Sequence, residues 1–258
     1  MEQFIINYTG QKYKESCQFD SYDFSKYNTI VEPFGGSFGF SRYLYQTQKL
    51  KNINYIIYDN DKKLIDFYKS IQQYIKNGTI HDFINEYNSN MDDIGLTCKN
   101  ETRKYKCLYL NLVKKKIINM DTNMQFMILN NVGLSFIPKC RYKKNVIFLD
   151  MIENITFIHE PFNNIDFEKY NNENTLIYFD PPYLNSFNGH YKNHKKKDTY
   201  PIYESIKELM DQNYNIILVH IFGDCINSLF EKYFKFDYTK YYQVSRNNAK
   251  HAVYSNNI

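Results

Sequence analysis

TIVEPFGGSFGFS, residues 29–41, is the stretch of this sequence that decides the fold. A β-branched run, Thr29–Glu32, stops at Pro33 and leads through a glycine cluster into a helical pattern. Glycines placed after a strand allow a tight turn and a close approach of the backbone to a ligand. No Gly-Lys-Ser/Thr follows, so the loop is not a Walker phosphate loop. The stretch predicts a strand–turn–helix unit of an α/β sheet, and its loop is either a nucleoside-cofactor loop or a plain turn.

A second apolar run, Tyr55–Tyr58, ends at Asp59, which lies 20 residues beyond Gly39. An acid at this distance from a glycine loop, at the carboxyl end of the next strand, suits hydrogen bonding to ribose hydroxyls. The alternative is a helix N-cap, because a helical pattern begins at Asp61. Both roles stay open, with Asp59 as ligand and Asp61 closer to the helix start.

The segment LIYFDPPY, residues 176–183, carries the most specific chemistry. A buried strand ends in the Asp180 carboxylate, and Pro181 and Pro182 fix the following backbone and remove two N–H groups. The carboxylate and a backbone carbonyl are both acceptors, whereas an amino group offers two N–H donors. Together they can hold an –NH2 and leave its lone pair free to attack a methyl group. The Tyr183 ring offers a flat face on which a base can stack.

The remaining pattern predicts α/β alternation in two blocks, residues 1–78 and 150–258, around a mainly helical, Lys-rich insert at 79–149. In the first block, the pattern also predicts a helix from Asp61. At the end of the insert, it predicts a strand at 147–149. The second block contributes strands at 155–158, 176–179 and 216–219, a helix at 202–210, and a terminal strand pair at 236–244 and 252–254.

Composition restricts the class of protein. The chain has 258 residues, 43% of them hydrophobic, which allows a substantial core, and a net charge of +4, which permits a polyanionic partner without requiring one. Its five cysteines form no CxxC pair, and the N-terminus does not resemble a signal peptide. We therefore expect an intracellular, reducing compartment: the cytoplasm, or a nucleus or viral factory. His190 and His194 lack an HExxH context, so no metal is expected.

Taken in order, these motifs resemble those of the Dam-like (DPPY-type, alpha-class) adenine-specific DNA methyltransferases. Residues 7–12, NYTGQK, resemble the opening motif of that family, and residues 31–36, VEPFGG, resemble its cofactor loop. Residues 58–61, YDND, resemble its acidic turn, and residues 164–167, NIDF, resemble the element beside the cofactor adenine. Residues 180–183 match its catalytic tetrapeptide.

The resemblance implies a Rossmann-like methyltransferase sheet, mostly parallel with one reversed strand, and a target-recognition insert at 79–149. It implies S-adenosyl-L-methionine as cofactor, double-stranded DNA as partner, and N6-methylation of an adenine flipped out of the duplex. It leaves open a cognate restriction endonuclease, as in restriction-modification systems. The catalytic residues would be Asp180, Pro181, Pro182 and Tyr183, with Asp180 and the Pro181 carbonyl binding the target amino group and Tyr183 stacking on the base. The cofactor-binding residues would be Tyr8, Gly10, Lys12, Phe34, Gly35, Gly36, Ser37, Asp59, Asn60, Asp166, Phe167 and Asp180.

Three basic runs, at 114–116, 141–144 and 192–197, are candidates for contacts to DNA phosphates, with solvated surface as the alternative for each. The residues predicted to contact DNA are Arg141, Lys143, Lys144, Lys192, Lys195, Lys196 and Lys197. The Phe-Asn-Val-Pro-x-Gly pattern of the family is absent from residues 129–144, so no recognised site is predicted. Two other functions stay open: methylation of an amino group in RNA or another acceptor, and a catalytically silent DNA-binding descendant.

Overall fold

The computed structural model describes residues 12–48, 50–94, 113–133, 149–183, 200–242 and 247–257. The chain divides into two compact units, one containing residues 12–60 and 156–258, and the other residues 1–11 and 61–155. Among the described residues, no helix combines the length and apolar character that a membrane crossing requires.

The first unit is built on a sheet that has seven strands in the described part of the chain. They are β1 (Thr29–Glu32), β2 (Asn54–Asp59), β3 (Thr156–His159), β4 (Thr175–Phe179), β5 (Ile216–Ile221), β6 (Phe234–Tyr242) and β7 (Asn247–Ser255). Their order is β3-β2-β1-β4-β5-β7-β6. β7 runs antiparallel to both of its neighbours, and the other adjacent pairs are parallel. The predicted fold class, a mostly parallel Rossmann-like sheet with one reversed strand, is confirmed.

The two faces of this sheet are covered by different elements, as the alternation of side chains along β4 requires. Ile177 and Phe179 face a core that includes residues of helix α6 (Tyr200–Asp211) and Phe230, which follows helix α7 (Asp224–Leu229). Tyr178 points the other way and stacks on Phe40 of helix α1 (Gly39–Thr47), with ring centroids 4.2 Å apart.

The switch in strand order positions the functional site. Successive strands β1, β2 and β3 extend the sheet in one direction, whereas β4 and β5 extend it in the other. The crevice at the carboxyl ends of β1 and β4 is where open α/β sheets bind ligands. The sequence places the glycine loop after β1 and the Asp180 tetrapeptide after β4, so both lie at this crevice.

The second unit is helical in its described part, as predicted for the insert. It contains α2 (Lys62–Lys76), α3 (Ile80–Ile94), a helical segment at 113–117, α4 (Thr122–Gly133) and α5 (Leu149–Asn154). Phe67 of α2 packs on Phe126 of α4, with centroids 5.0 Å apart. Gln72 donates to the carbonyls of Ile152 and Ile155, at 2.8 and 2.7 Å, and so ties α2 to α5.

The strand predicted at 147–149 is wrong at Leu149, which begins α5; residues 147 and 148 lie outside the described residues. A short apolar run cannot be assigned to a strand or a helix by its spacing. Asp150 lies in the first helical turn, where a carboxylate stabilises the helix dipole. The Asn154 amide also donates to the Asp150 carbonyl, at 2.8 Å, within the helix.

Candidate active site

The glycine loop after β1 is fastened to the end of β2. The Gly35 amide donates to the Tyr58 carbonyl and the Gly36 amide donates to Asp59 Oδ2, each at 2.8 Å. A Cβ atom on Gly35 would overlap the Ile57 side chain and lie 3.0 Å from the Tyr58 carbonyl oxygen. Only glycine fits this close approach of loop to strand, and Gly36 has a φ of +49°, which also favours glycine.

The helix that follows β2 is capped by Asp61, whose side chain accepts from the amides of Lys63 and Leu64. The N-cap alternative for Asp59 is therefore wrong. The Asp59 carboxylate lies half-buried at the strand end, where it receives the Gly36 amide, and Asn60 beside it is exposed. Hydrogen bonding of Asp59 to a ribose stays a prediction.

A buried carboxylate braces the start of α1. Glu32, the last residue of β1, accepts from the Ser41 amide at 2.8 Å, and the Ser37 carbonyl accepts from Arg42 Nε at 3.0 Å. Burial raises the pKa of Glu32 to about 7, although the Ser41 hydrogen bond and Arg42 favour its charged form. Glu32 was not among the predicted site residues.

Aromatic rings line the same end of the sheet. Phe34 stacks on Phe162, with centroids 5.3 Å apart, and Phe167 packs on both Phe162 and Phe179, at 5.5 and 6.0 Å. Phe34 and Phe167 are half-buried, whereas Asp166 is exposed and accepts from the Glu168 amide at 3.2 Å. The structure brings together Phe34 and Phe167, two residues that the resemblance assigned to the cofactor.

The tetrapeptide joins the N-terminal motif through Lys12. The Lys12 ammonium lies 2.8 Å from Asp180 Oδ2 and donates to the Tyr183 hydroxyl at 2.6 Å. The Tyr183 hydroxyl in turn donates to Asp180 Oδ1 at 3.0 Å. We call these three residues the catalytic cluster, after the catalytic role predicted for Asp180 and Tyr183. The Lys12 side chain is 5% exposed and that of Asp180 18% exposed, so the ion pair is largely shielded from water.

Close packing at Gly39 brings Lys12 to this position. A Cβ atom on Gly39 would lie 2.6 Å from the Tyr13 nitrogen and 2.8 Å from the Lys12 nitrogen. The Lys12 carbonyl also accepts from the amide and the hydroxyl of Ser16, at 2.9 and 2.8 Å, at the start of the short helix Glu15–Phe19. The backbone of Lys12 is therefore held on both sides, and its side chain is directed to Asp180.

The charges of the catalytic cluster depend on one another. Burial alone would lower the pKa of Lys12, but the carboxylates of Asp180 and Glu15 outweigh it and raise that pKa well above its ordinary value. Burial raises the pKa of Asp180, and the Lys12 charge and hydrogen bond oppose that rise. Lys12 is thus the group that lets Asp180 remain a carboxylate in a buried position.

The two prolines have different surroundings. Pro181 and Pro182 are both buried, and the Pro182 carbonyl accepts from the Tyr203 hydroxyl at 3.1 Å. Within the described part of the chain, no donor contacts the Pro181 carbonyl. This is the carbonyl predicted to accept from an amino group.

Two histidines flank the Tyr183 ring. His220 and His251 make edge-on contacts with it, at centroid distances of 5.0 and 5.6 Å. Burial is the main cause that lowers the pKa of His220 to about 4 and that of His251 to about 3. Both rings are therefore neutral at pH 7. His220 Nδ1 bonds to the Ile221 carbonyl at 2.5 Å, which assigns the proton to that nitrogen. Neither histidine belongs to a sequence motif.

Some predicted residues cannot be placed. Tyr8 and Gly10, predicted at the cofactor, lie outside the described residues. The same is true of every residue predicted to contact DNA: Arg141, Lys143, Lys144, Lys192, Lys195, Lys196 and Lys197.

Comparison with known proteins gives one informative similarity. The chain is 22% identical over 256 residues to the Type II methyltransferase M.CviBI of Paramecium bursaria Chlorella virus NC1A. The aligned region covers 95% of this chain and 93% of that protein. No protein-family model matches the chain.

Proposed function

We propose that the chain is an S-adenosylmethionine-dependent DNA methyltransferase that modifies the N6 amino group of adenine. The observation that carries the proposal is the catalytic cluster, a shielded carboxylate at the carboxyl end of β4 that is next to the glycine loop of β1. Similarity to the viral Type II methyltransferase along nearly the whole chain supports the same reaction class.

The residues of the β1–β2 edge fit the cofactor. Gly35 and Gly36 carry no side chain, so their backbone lies close to β2, and the Asp59 carboxylate lies beside it. Phe34 and Phe167 offer half-buried rings for a purine. We propose that these residues, with Ser37, Asn60 and Asp166, hold S-adenosylmethionine, which supplies an electrophilic methyl group on its sulfonium.

Asp180 is the acceptor for the target amino group. Its carboxylate already receives Lys12 and Tyr183, but two carboxylate oxygens offer about four acceptor sites, so an N–H donor can be added. The Pro181 carbonyl supplies a second acceptor. These two acceptors would orient the amino nitrogen so that its lone pair is directed at the methyl group, and the rate gain would come from positioning and electrostatics.

The target base has to leave the duplex to enter this site, which costs a few kcal/mol of unstacking. Stacking on the Tyr183 ring would return about 1–3 kcal/mol of that cost. The hydroxyl of Tyr183 is fixed by Lys12 and Asp180, so the ring orientation is set before the base arrives. We propose that the insert at 79–149 and the basic runs make the contacts to duplex DNA.

The test is methyl transfer with identification of the product. Purified protein, methyl-labelled S-adenosylmethionine and unmethylated duplex DNA are incubated, and the digested nucleosides are identified by mass spectrometry. We expect N6-methyl-2′-deoxyadenosine from DNA and none with Asp180→Ala. N4-methylcytosine would contradict the base assignment, and labelling of an RNA of the same sequence alone would contradict DNA as the acceptor. Cofactor binding without labelling of any nucleic acid would indicate a silent descendant.

A further inference from the structure

Behind the catalytic cluster lies a second ion pair that the reaction does not obviously need. Glu15 pairs with Lys240 of β6 through Oε1, and its Oε2 accepts from the Tyr238 hydroxyl at 3.0 Å. The side chains of Glu15 and Lys240 are only 10% and 20% exposed. Tyr238 and Lys240 are two residues apart on one strand, so both face the short helix that carries Glu15.

The two ion pairs form one chain of alternating charge, which we call the charge relay: Asp180, Lys12, Glu15 and Lys240. Lys12 is the largest favourable influence on the charge of Glu15, and Glu15 is second only to Asp180 in raising the pKa of Lys12. Burial lowers the pKa of Lys240, and Glu15 opposes that change. The two anions and two cations balance, so each buried charge is compensated by its neighbours.

The tyrosines and the histidine around the relay are uncharged near neutral pH. Burial raises the pKa of Tyr178 and of Tyr238 far above pH 7. Burial likewise keeps His251 neutral, although its Nδ1 lies 3.7 Å from Glu15 Oε2. Glu32 also interacts with Asp180, and burial raises its pKa to about 7, so Glu32 is partly charged near neutral pH. Apart from burial, the charges with the largest effect on the pKa of Asp180 are those of Lys12 and Glu15, both members of the relay.

We propose that Glu15 and Lys240 are positioning residues for methyl transfer, which act through Lys12 and set the charge balance at Asp180 from the terminal β6–β7 hairpin. This inference rests on the proposed function, because Asp180 is taken as the acceptor for the amino group. Protonation of Asp180 turns one of its acceptor oxygens into a donor and removes the negative charge that holds the amino group, so the relay sets the lower pH limit of the reaction.

The two ends of the relay have opposite effects on Asp180. Lys240→Met removes a cation, which makes the Asp180 carboxylate less favourable and moves the acid limb of the kcat/KM profile to higher pH. Glu15→Gln removes an anion that raises the pKa of Asp180, so the acid limb moves to lower pH. We expect shifts of about one pH unit in each direction, the size of a charge interaction at intermediate distance in a partly shielded site.

The double variant Glu15→Gln/Lys240→Met removes a neutral pair and should return the acid limb close to its wild-type position. Lys240→Arg keeps the positive charge, so its acid limb should also lie close to the wild-type position. The matched control is Lys250→Met on the same hairpin, which breaks a more exposed pair with Asp237, 2.9 Å apart, and should leave the profile unchanged.

An NMR titration of the Asp180 carboxyl carbon, assigned by its loss in Asp180→Asn, gives a readout that needs no activity. The same opposite displacements are expected there. The inference would be overturned if the pH titration of Asp180 moved in the same direction in both single variants, or did not move in either. An equal displacement in Lys250→Met would also overturn it. If the single variants unfold, the double variant and Lys240→Arg remain as the test. An altered acid limb in either of these two would also overturn the inference. Absence of methyl transfer by the wild-type protein with the expected NMR displacements would count against the proposed function alone.

Discussion

Replacing Lys12 by Met should leave the Asp180 carboxylate buried without its counter-charge. Lys12 Nζ lies 2.8 Å from Asp180 Oδ2 and 2.6 Å from the Tyr183 hydroxyl, and the lysine side chain is 5% exposed. Removing one partner of a buried ion pair costs about 3–5 kcal/mol. Because Asp180 retains some contact with solvent, we expect the lower end, about 3 kcal/mol. For a unit of this size that corresponds to a fall in Tm of about 6–12 °C.

The loss of stability in Lys12→Met should depend on pH in a defined direction. Burial raises the pKa of Asp180, and that pKa rises further once Lys12 is removed. The Asp180 carboxyl then has a higher pKa in the folded variant than in the unfolded chain. The energetic cost of its buried charge is therefore complete above the folded-state pKa and absent below the unfolded-state pKa. The free energy of unfolding of Lys12→Met should therefore lie well below that of wild type at pH 8, and this difference should shrink towards pH 5.

Denaturant unfolding at pH 5 and pH 8 measures this difference. The combined variant Lys12→Met/Asp180→Asn should recover most of the deficit at pH 8, since no uncompensated charge remains. As a control, Lys232→Met breaks an exposed pair with Asp211, 2.6 Å apart, and should cost less than about 1 kcal/mol. A deficit for Lys12→Met no larger than that of the control, or one independent of pH, would refute the electrostatic account of the catalytic cluster.

Substitutions at three further positions probe the site. Gly35→Ala drives a methyl group into Ile57, so we expect a loss of about 1–3 kcal/mol in thermal stability and about tenfold weaker S-adenosylmethionine binding by calorimetry; wild-type affinity would argue against the loop as cofactor site. Burial raises the pKa of Glu32 from 4.5 to about 7, so the contribution of Glu32 to the free energy of unfolding should fall by about 3 kcal/mol as the pH rises from 4.5 to 7, and Glu32→Gln should remove that contribution in denaturant titrations. Tyr183→Phe keeps the ring and should lower kcat about tenfold, whereas Tyr183→Ala also loses stacking worth about 1–3 kcal/mol; equal kcat values for both variants would exclude the stacking role.

The sheet could be predicted because a short local stretch of sequence indicates each of its strands. Thr29–Glu32 is a short run rich in β-branched residues, and the LIYF run at 176–179 is continuous and apolar, as strands buried on both faces are. The turn after each strand is fixed by residues with restricted or unusual backbone freedom, glycine at 35–36 and proline at 181–182. Leu149 shows the limit, because its short apolar run carries no periodicity and its neighbour Asp150 favours a helix start.

The catalytic cluster was only partly predictable. Asp180 and Tyr183 share a motif, but the contact between Lys12 and Tyr183 spans 171 residues and depends on the packing of Gly39. Family resemblance linked these motifs to one site, although it placed Lys12 at the cofactor and did not foresee its ion pair with Asp180.

The charge relay was not predictable from spacing or resemblance. Glu15 is one acid three residues beyond Lys12, and Lys240 is one lysine in a Lys-rich chain. They meet only because the reversed strand β7 lies between β5 and β6, which places Lys240 against the helix that carries Glu15. Contacts of this kind arise from sheet order, which local patterns do not encode.

The most direct measurement is base-resolution mapping of methylated DNA in a host without adenine methylation that expresses this chain. The account predicts N6-methyladenine at one recurring sequence in cells with the wild-type chain, and none in cells with Asp180→Ala at equal protein levels. Absence of methyladenine with the folded wild-type chain, or the same methylation with Asp180→Ala, would contradict it.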